Sequence, residues 1–589
     1  MLKVTVILAY AFIPTLYRGY NIELRLRDLL GTEWQGMVEV LRNDFVILAL
    51  ILALLIAVVS VQWKPVAIVC FCTAASLQLF LILDVLLFEQ FAARLNFADT
   101  MKYGSYALKY ITDLGFKFLL ALAFAILGIV GIKYLVWHLL RQSKVGLAPA
   151  SACVLLLGET SAAAWQTRDT GYVHYRFYQN LFSHNYTASL ELRPYSANFE
   201  ATLSNPFEQS CRSVPTIAGP IIFYMVESLS SYHSNFFSGL NNWTPELDRL
   251  ARRNLALVNL FANGFTTEDG ELSLLTANFP IYPPNTLTSG GSTKFTGYWH
   301  VEPSLVSVLV ERGYETYFLT TSDLAFSSTG DWMNSIGFGQ VEGSEASIYD
   351  EWPRFAFNAA PDAALVERII QVVDESAQEK LIFVKSVSSH HPFIHPETGE
   401  RSEEQVIRYV DQQIASLHAS LDERGFFETG HLVVIGDHRA MRPLVSEEVE
   451  LFGFEKAYTQ VPAIVVSNTL APESKTVTAP YSQVDIANSF IGLGRGEICT
   501  SAVRGAVFGN EPVLADYIIQ RRGDQRNQFS IFSDDRVGVI TLNGDKTELS
   551  GTGYTEEEAE QIVKFINYSR VQARVANEAS IASVGSDGS

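Results

Sequence analysis

The hydrophobic positions follow one rule up to about residue 165 and another beyond it. In the first stretch they form long unbroken runs, 45–63, 66–87 and 118–139, close to the ~20 residues a helix needs to cross a bilayer core. Two weaker runs flank them. Residues 4–17, extensible through Tyr20, are short, and residues 146–165 are diluted by Ser151, Glu159, Thr160 and Ser161. Counted as spans, they bring the total to about five; a helix lying along the membrane surface is the other reading of each. The first run has no small-residue cleavage pattern after a charged start, so it reads as an anchor and not as a removable signal.

Residues 166–212 form a polar connector with Tyr172, Tyr175, Phe177, Tyr178, Phe182 and Tyr186 and no strong periodicity. From Pro215 onward, short apolar runs at 221–226, 316–319, 381–384, 432–435 and 461–466 alternate with amphipathic stretches at 243–259, 301–312, 362–378 and 403–424. A short run that is apolar throughout predicts a strand buried on both sides. Strands alternating with helices predict a mostly parallel sheet covered by helices on both faces. Residues 529–532 and 537–542 flank Asp534-Asp535 and predict a hairpin. The expected organisation is a membrane region at 1–165, the connector at 166–212, an α/β domain at 213–575 and a disordered Ala/Ser/Gly-rich tail at 576–589.

Composition and charge sharpen this division. The chain is 48% hydrophobic with a mean hydropathy of +0.14, high for a soluble protein. Residues 1–164 hold 13 Lys and Arg against 10 Asp and Glu, leaving 30 against 53 for the rest. The whole acidic excess lies beyond the membrane region, which excludes nucleic acid as a partner. If Arg141 and Lys144 mark the cytoplasmic side, five spans put residues 166–589 outside. The loop 18–42, with four arginines and four acids, keeps the count from choosing. Cys70, Cys72 and Cys153 sit in apolar runs, so Cys211 and Cys499 are either a disulfide or two separate thiols.

Candidate chemistry gathers at the ends of the apolar runs. Leu432-Val433-Val434-Ile435-Gly436 delivers Asp437 and His438, and ligands of such sheets collect at the carboxyl ends of the strands. A carboxylate beside an imidazole suits Zn²⁺ or Mn²⁺ better than Ca²⁺. The run 221–226 ends the same way, in Glu227-Ser228. On a parallel sheet Glu227 can approach Asp437 and His438, although each acid could equally cap the segment after it. Asn263-Gly264-Phe265-Thr266-Thr267-Glu268-Asp269 precedes a helix-like stretch at 271–277. Thr266 or Thr267 therefore falls at a helix start, where free N–H groups favour a phosphate; a plain capping threonine is the other reading.

Together these pieces resemble the alkaline phosphatase/sulfatase superfamily, and within it the membrane-anchored lipoteichoic acid synthase-like phosphoglycerol transferases. The resemblance covers nearly the whole length. It implies that Glu227, Thr267, Asp437 and His438 hold one divalent metal, Mn²⁺ first, with Mg²⁺ and Zn²⁺ as the other candidates. It also implies that Thr267 is the nucleophile, preferred to Thr266 because relatives often show Thr, two residues, then a small residue, as in Thr267-Glu268-Asp269-Gly270. Ser389-His390-His391-Pro392-Phe393 is similar to a family segment whose histidine contacts the phosphate, which assigns that role to His390. Ser482-Gln483-Val484-Asp485-Ile486 matches a tail segment read as structural. Where Gram-positive synthases line the head-group pocket with Trp and Arg, this chain offers Phe326 and Ser328, with Trp332 a little later. The sulfatase signature, Cys or Ser followed by x-Pro-x-Arg, is absent around Thr267.

The function implied is transfer of a phosphoglycerol or phosphoethanolamine group from a membrane phospholipid to a glycan or glycerol-phosphate acceptor. The reaction would run through a phospho-threonine, in a multi-pass protein of the cell membrane with its catalytic domain outside the cytoplasm. A phosphodiesterase with water as acceptor and an inactive membrane scaffold or sensor are the two alternatives.

Overall fold

The computed structural model describes residues 2–30, 35–91, 94–97, 131, 133–134, 136–138, 178–284, 295–376, 378–471, 475–523 and 525–586. Two compact units divide the chain. The first is Met1–Ser189 with Ser289–Gly291 and Arg442–Ser446, and the second is Leu190–Thr288, Ser292–Met441 and Glu447–Ser589.

The first unit packs helices Leu2–Leu30, Gln35–Ser60 and Lys64–Phe91 against one another. Among the described residues, Glu39–Ser60 and Lys64–Glu89 are long and apolar enough to cross a membrane; they account for the expected runs 45–63 and 66–87. The expected span 118–139 is described only at 131, 133–134 and 136–138, and 146–165 lies outside the described residues. Buried charges gather at one end of the bundle, where bare charges could not stay without partners. Arg18 reaches Asp44 Oδ2 at 2.7 Å and Asp84 Oδ2 at 3.1 Å. Arg94 reaches Asp84 Oδ2 at 2.8 Å, and both arginines donate to the Gln179 carbonyl, at 2.8 and 3.0 Å. The Asn180 amide donates to the Asn43 carbonyl at 3.0 Å. The helix Leu181–Ser189 starts from this cluster.

The second unit is built on a nine-stranded sheet. Its strands in chain order are β1 (Ile221–Val226), β2 (Leu255–Phe261), β3 (Glu315–Thr320), β4 (Gln340–Glu342), β5 (Lys380–Lys385), β6 (His431–Gly436), β7 (Gln460–Val466), β8 (Lys475–Val477) and β9 (Tyr481–Ser482). Across the sheet they run β9-β2-β7-β6-β1-β5-β3-β4, with β8 also pairing β2. β1 is central and wholly buried, and its side chains alternate between two cores. Ile221, Phe223 and Met225 enter one core with the helices Thr267–Thr276, Leu305–Glu311 and Gln483–Arg495. Ile222, Tyr224 and Val226 enter the other with Pro245–Ala251, Asp362–Glu375 and Glu403–Glu423. All five expected strands are present, as is the expected hairpin, Gln528–Ser533 with Arg536–Thr541, inside a separate four-stranded antiparallel sheet. A two-stranded pair, Ser210–Ser213 with Glu497–Thr500, sets Cys211 opposite Cys499, and the two form a disulfide.

The sheet is mostly parallel, as expected, with β7 alone running antiparallel to its neighbours β2 and β6; an apolar run carries no mark of its direction. Two expectations are corrected. Residues 243–259 are not one helix: Pro245–Ala251 is helical and Leu255–Phe261 is β2, with Leu257 in one core and Ala256 in the other. The tail expected to be disordered from 576 is helical through Ser586 as part of Glu556–Ser586. Its Ala and Glu residues are good helix formers, and they extend a helix already fixed by the buried Ile562 and Ile566.

Candidate active site

The register of β1 and β6 pairs Val226 with Gly436, so the next residue on each strand, Glu227 and Asp437, emerges at the same level of the sheet edge. Gly436 is required there: a Cβ would lie 2.3 Å from the Leu229 carbonyl oxygen, where the chain leaving β1 crosses β6. Glu227 is clasped by serines that follow β5. Its N–H donates to Ser386 Oγ at 3.1 Å, and its carbonyl accepts from Ser389 Oγ at 2.5 Å. Asp437 Oδ1 accepts from the N–H groups of Ser228 and His438, both at 2.7 Å. Gln483 anchors the same turn by donating to the carbonyls of Gly436 and Asp437, at 2.9 and 2.7 Å.

The threonines divide their tasks. Thr266 is the N-cap of helix Thr267–Thr276, and its side chain accepts from the Asp269 N–H. Thr267 opens the helix and turns its hydroxyl to the acids, with Oγ1 2.9 Å from Glu227 Oε2 and 3.5 Å from His438 Nε2. The helix can approach because residue 270 is glycine: a Cβ there would meet the Asp437 carbonyl oxygen at 2.8 Å.

His438 Nδ1 faces the Arg439 carbonyl at 2.9 Å, an acceptor only, so Nδ1 carries a proton and Nε2 is the ring nitrogen left to the site. Nε2 lies 3.2 Å from Asp437 Oδ2 and 3.6 Å from Glu227 Oε1. Asp437 Oδ2 is buried and has no hydrogen-bond donor. Burial, with the Glu227 charge beside it, pushes the Asp437 carboxyl far above the usual range. Burial acts on Glu227 too, but His390, His438 and hydrogen bonds from Ser228 and Thr267 bring it below that range. Converging acceptors with an orphaned carboxylate oxygen fit a divalent cation, and Glu227, Asp437 and His438 each offer a ligand atom within 4.8 Å of the others. The other such group among the described residues, Cys211, Glu497 and Cys499, is tied up by the disulfide.

The remaining expected residues fall in different places. His390 stands after β5, with Nδ1 2.6 Å from the His391 carbonyl, and is among the groups that lower the Glu227 carboxyl. Phe326 is 41% exposed and Ser328 adopts a left-handed conformation in the same loop. It is Ser327, between them, that hydrogen-bonds Glu268, the neighbour of Thr267. Trp332 is corrected: it is fully buried, stacked on Phe295 with ring centroids 3.9 Å apart, and presents no surface to a ligand. Sequence reasoning missed Ser386, Ser389 and Ser327, because a serine in a loop carries no pattern of its own. Gln483 had been read only as structural.

Residues 220–496 match the family model for Sulfatase, so this segment, with its central β-sheet between two helical layers and its acids and imidazole converging at one edge, is similar to a sulfatase domain of the alkaline phosphatase superfamily. Phosphoglycerol transferase I of Salmonella arizonae is 23% identical over 347 residues, covering 52% of this chain and 43% of that protein. The match thus takes in less than half of the relative's length. Among solved structures, the integral membrane lipooligosaccharide phosphoethanolamine transferase A of Neisseria meningitidis superposes with a TM-score of 0.51 at 12% identity, over 84% of this chain and 95% of that one. An alkaline phosphatase superfamily protein of Vibrio parahaemolyticus gives 0.50 at 15% identity, over 67% and 94%.

Asp437→Asn keeps the shape and the acceptor for the two N–H groups but replaces Oδ2 with a donor. The variant is expected to fold with the parent's Tm and to bind Mn²⁺ at least ~100-fold more weakly, as read by metal analysis after dialysis. Parental occupancy would remove Asp437 from the ligand set.

Proposed function

We propose that the chain is a membrane-anchored, metal-dependent phosphotransferase that moves a phosphoglycerol or phosphoethanolamine group from a phospholipid to a glycan or glycerol-phosphate acceptor. The observation that carries this reading is the Thr267 hydroxyl, aimed at Glu227 and His438 beside the orphaned Asp437 oxygen. Glu227, Thr267, Asp437 and His438 would hold one divalent metal. Bound there, it would supply positive charge to the phosphoryl oxygens and favour the threonine alkoxide. Glu227 Oε2 is placed to take the hydroxyl proton as Thr267 Oγ1 attacks phosphorus. A Thr–O–P bond forms, the phosphorus bond to the diacylglycerol oxygen breaks, and that oxygen leaves with a proton, for which His390 is the nearby donor. An acceptor hydroxyl then attacks the same phosphorus and gives its proton to His390, the Thr–O–P bond breaks, and Thr267 regains its proton from Glu227. The helix start at Thr267 adds N–H groups suited to phosphate.

The charged cluster of the first unit brings the ends of its three helices to one face. Arg18 follows the apolar part of the first helix, Asp44 precedes that of the second and Asp84 ends that of the third, so all lie at one membrane face. Arg94 and Gln179 join them there. The sequence offers two apolar runs between residues 97 and 178, and we read both as crossings. Lys133 contacts Gln78 and Trp137 contacts Phe71, so this run proceeds toward the face of Lys64. The arginines of loop 18–42 keep the charge count from choosing between the two faces; the lipid-linked chemistry is what supports reading the Lys64 face as cytoplasmic and the chain from Gln179 onward as external.

Three measurements test these readings. Thr267→Ala should lower turnover of labelled phospholipid by about three orders of magnitude or more. Thr266→Ala should lose far less, its cap being worth only about 1 kcal/mol of stability. Mass spectrometry of enzyme trapped with the donor should find the added group on Thr267; an adduct on Thr266 or Ser228, or continued turnover without Thr267, would sink the assignment. Reporter fusions at Lys144 and Gly496 should report opposite sides of the membrane. The same side for both would remove the last crossing.

A further inference from the structure

The helix Thr267–Thr276 meets three neighbouring strands, β6, β1 and β5, in a row. At β6 it is held by the close approach of Gly270 to the Asp437 backbone. At β1 it is held by Thr267 on Glu227, 2.9 Å apart. At β5 the contact is of another kind: Lys385 Nζ lies 3.1 Å from Glu271 Oε1, the side chains being 10% and 0% exposed. Glu271 lies four residues beyond Thr267, on the same helix face one turn along. Lys385 is the last residue of β5, directly before the Ser386 that holds the Glu227 backbone.

A buried ion pair is an expensive way to attach a helix. Desolvation of the two charges often exceeds their attraction, and an apolar pair of similar volume is frequently as stable or more so. The helix has apolar attachment in plenty, with Leu272, Leu274 and Leu275 fully buried. Apolar burial is non-directional and tolerates small slides, whereas an ion pair at a strand tip specifies one register. Register matters for Thr267, since a displacement of about 1 Å at a reacting group can cost ~10²-fold in rate.

We propose that Glu271 and Lys385 are positioning residues, a pair whose task is to hold Thr267 against Glu227 and the metal ligands and not to stabilise the fold. The proposal rests on the reading of Thr267 as nucleophile and metal ligand. Its test uses the purified full chain at pH 8, above the value of about 7 to which burial raises Glu271. Mn²⁺ affinity is measured with the metal alone, and kcat and KM on phosphatidylglycerol vesicles. The double variant Glu271→Leu with Lys385→Met should melt at or above the parent temperature and bind Mn²⁺ as weakly as Thr267→Ala. Its kcat should fall by ~10²-fold at a KM within about twofold of the parent. The reversed pair, Glu271→Lys with Lys385→Glu, should recover most of the Mn²⁺ affinity. A double variant that folds with parental Mn²⁺ affinity overturns the proposal, and so does one that fails to fold, since the pair would then serve stability. Should the parent transfer nothing from phospholipid, the transferase reading falls, while the metal arm still decides the role of the pair.

Discussion

Burying two carboxylates side by side is costly unless a cation lies between them, and the rest of the catalytic unit is arranged around that constraint. Glu227 and Asp437 end adjacent parallel strands in level register, so the topology of the sheet brings the charges together. Ser228 Oγ, Thr267 Oγ1 and two backbone N–H groups satisfy three of the four carboxylate oxygens, and one, Asp437 Oδ2, is left facing His438 Nε2. Burial and the neighbouring Glu227 charge are what raise the Asp437 carboxyl.

Close backbone packing at two glycines keeps the site that tight. Gly436 lets the chain leaving β1 cross β6, and Gly270 lets the threonine helix settle on the Asp437 carbonyl. Neither contact is electrostatic, yet both decide where charges end up. Thr267 then differs from Thr266 only by where a helix start turns each side chain: one accepts an N–H as the cap, the other is presented to the acids.

The strands β1 and β6, with Glu227, Asp437 and His438 at their tips, were legible in the sequence, because a wholly apolar run followed by ligand-type residues has few other readings on a buried sheet. The direction of β7 was not, since burial on both faces leaves no polar alternation to read. Leu255–Phe261 was merged into a helix because the polar Asn259 interrupts the apolar run that marks the other strands. Trp332 was assigned to a ligand by its type, whereas an aromatic ring stacked on Phe295 is equally what a core uses. Gln483 and the serines after β5 act through backbone contacts across more than 40 residues of sequence, which no local pattern encodes.

The central claim is that the converging acceptors at the β1 and β6 tips form one cation site. Anomalous diffraction at the manganese edge from crystals of the full chain grown with Mn²⁺ tests it most directly. The account predicts one dominant peak within about 2.0–2.3 Å of a Glu227 oxygen, Thr267 Oγ1, Asp437 Oδ2 and His438 Nε2. A peak bound by other residues, or none while Asp437 Oδ2 pairs with a protein donor, would contradict it.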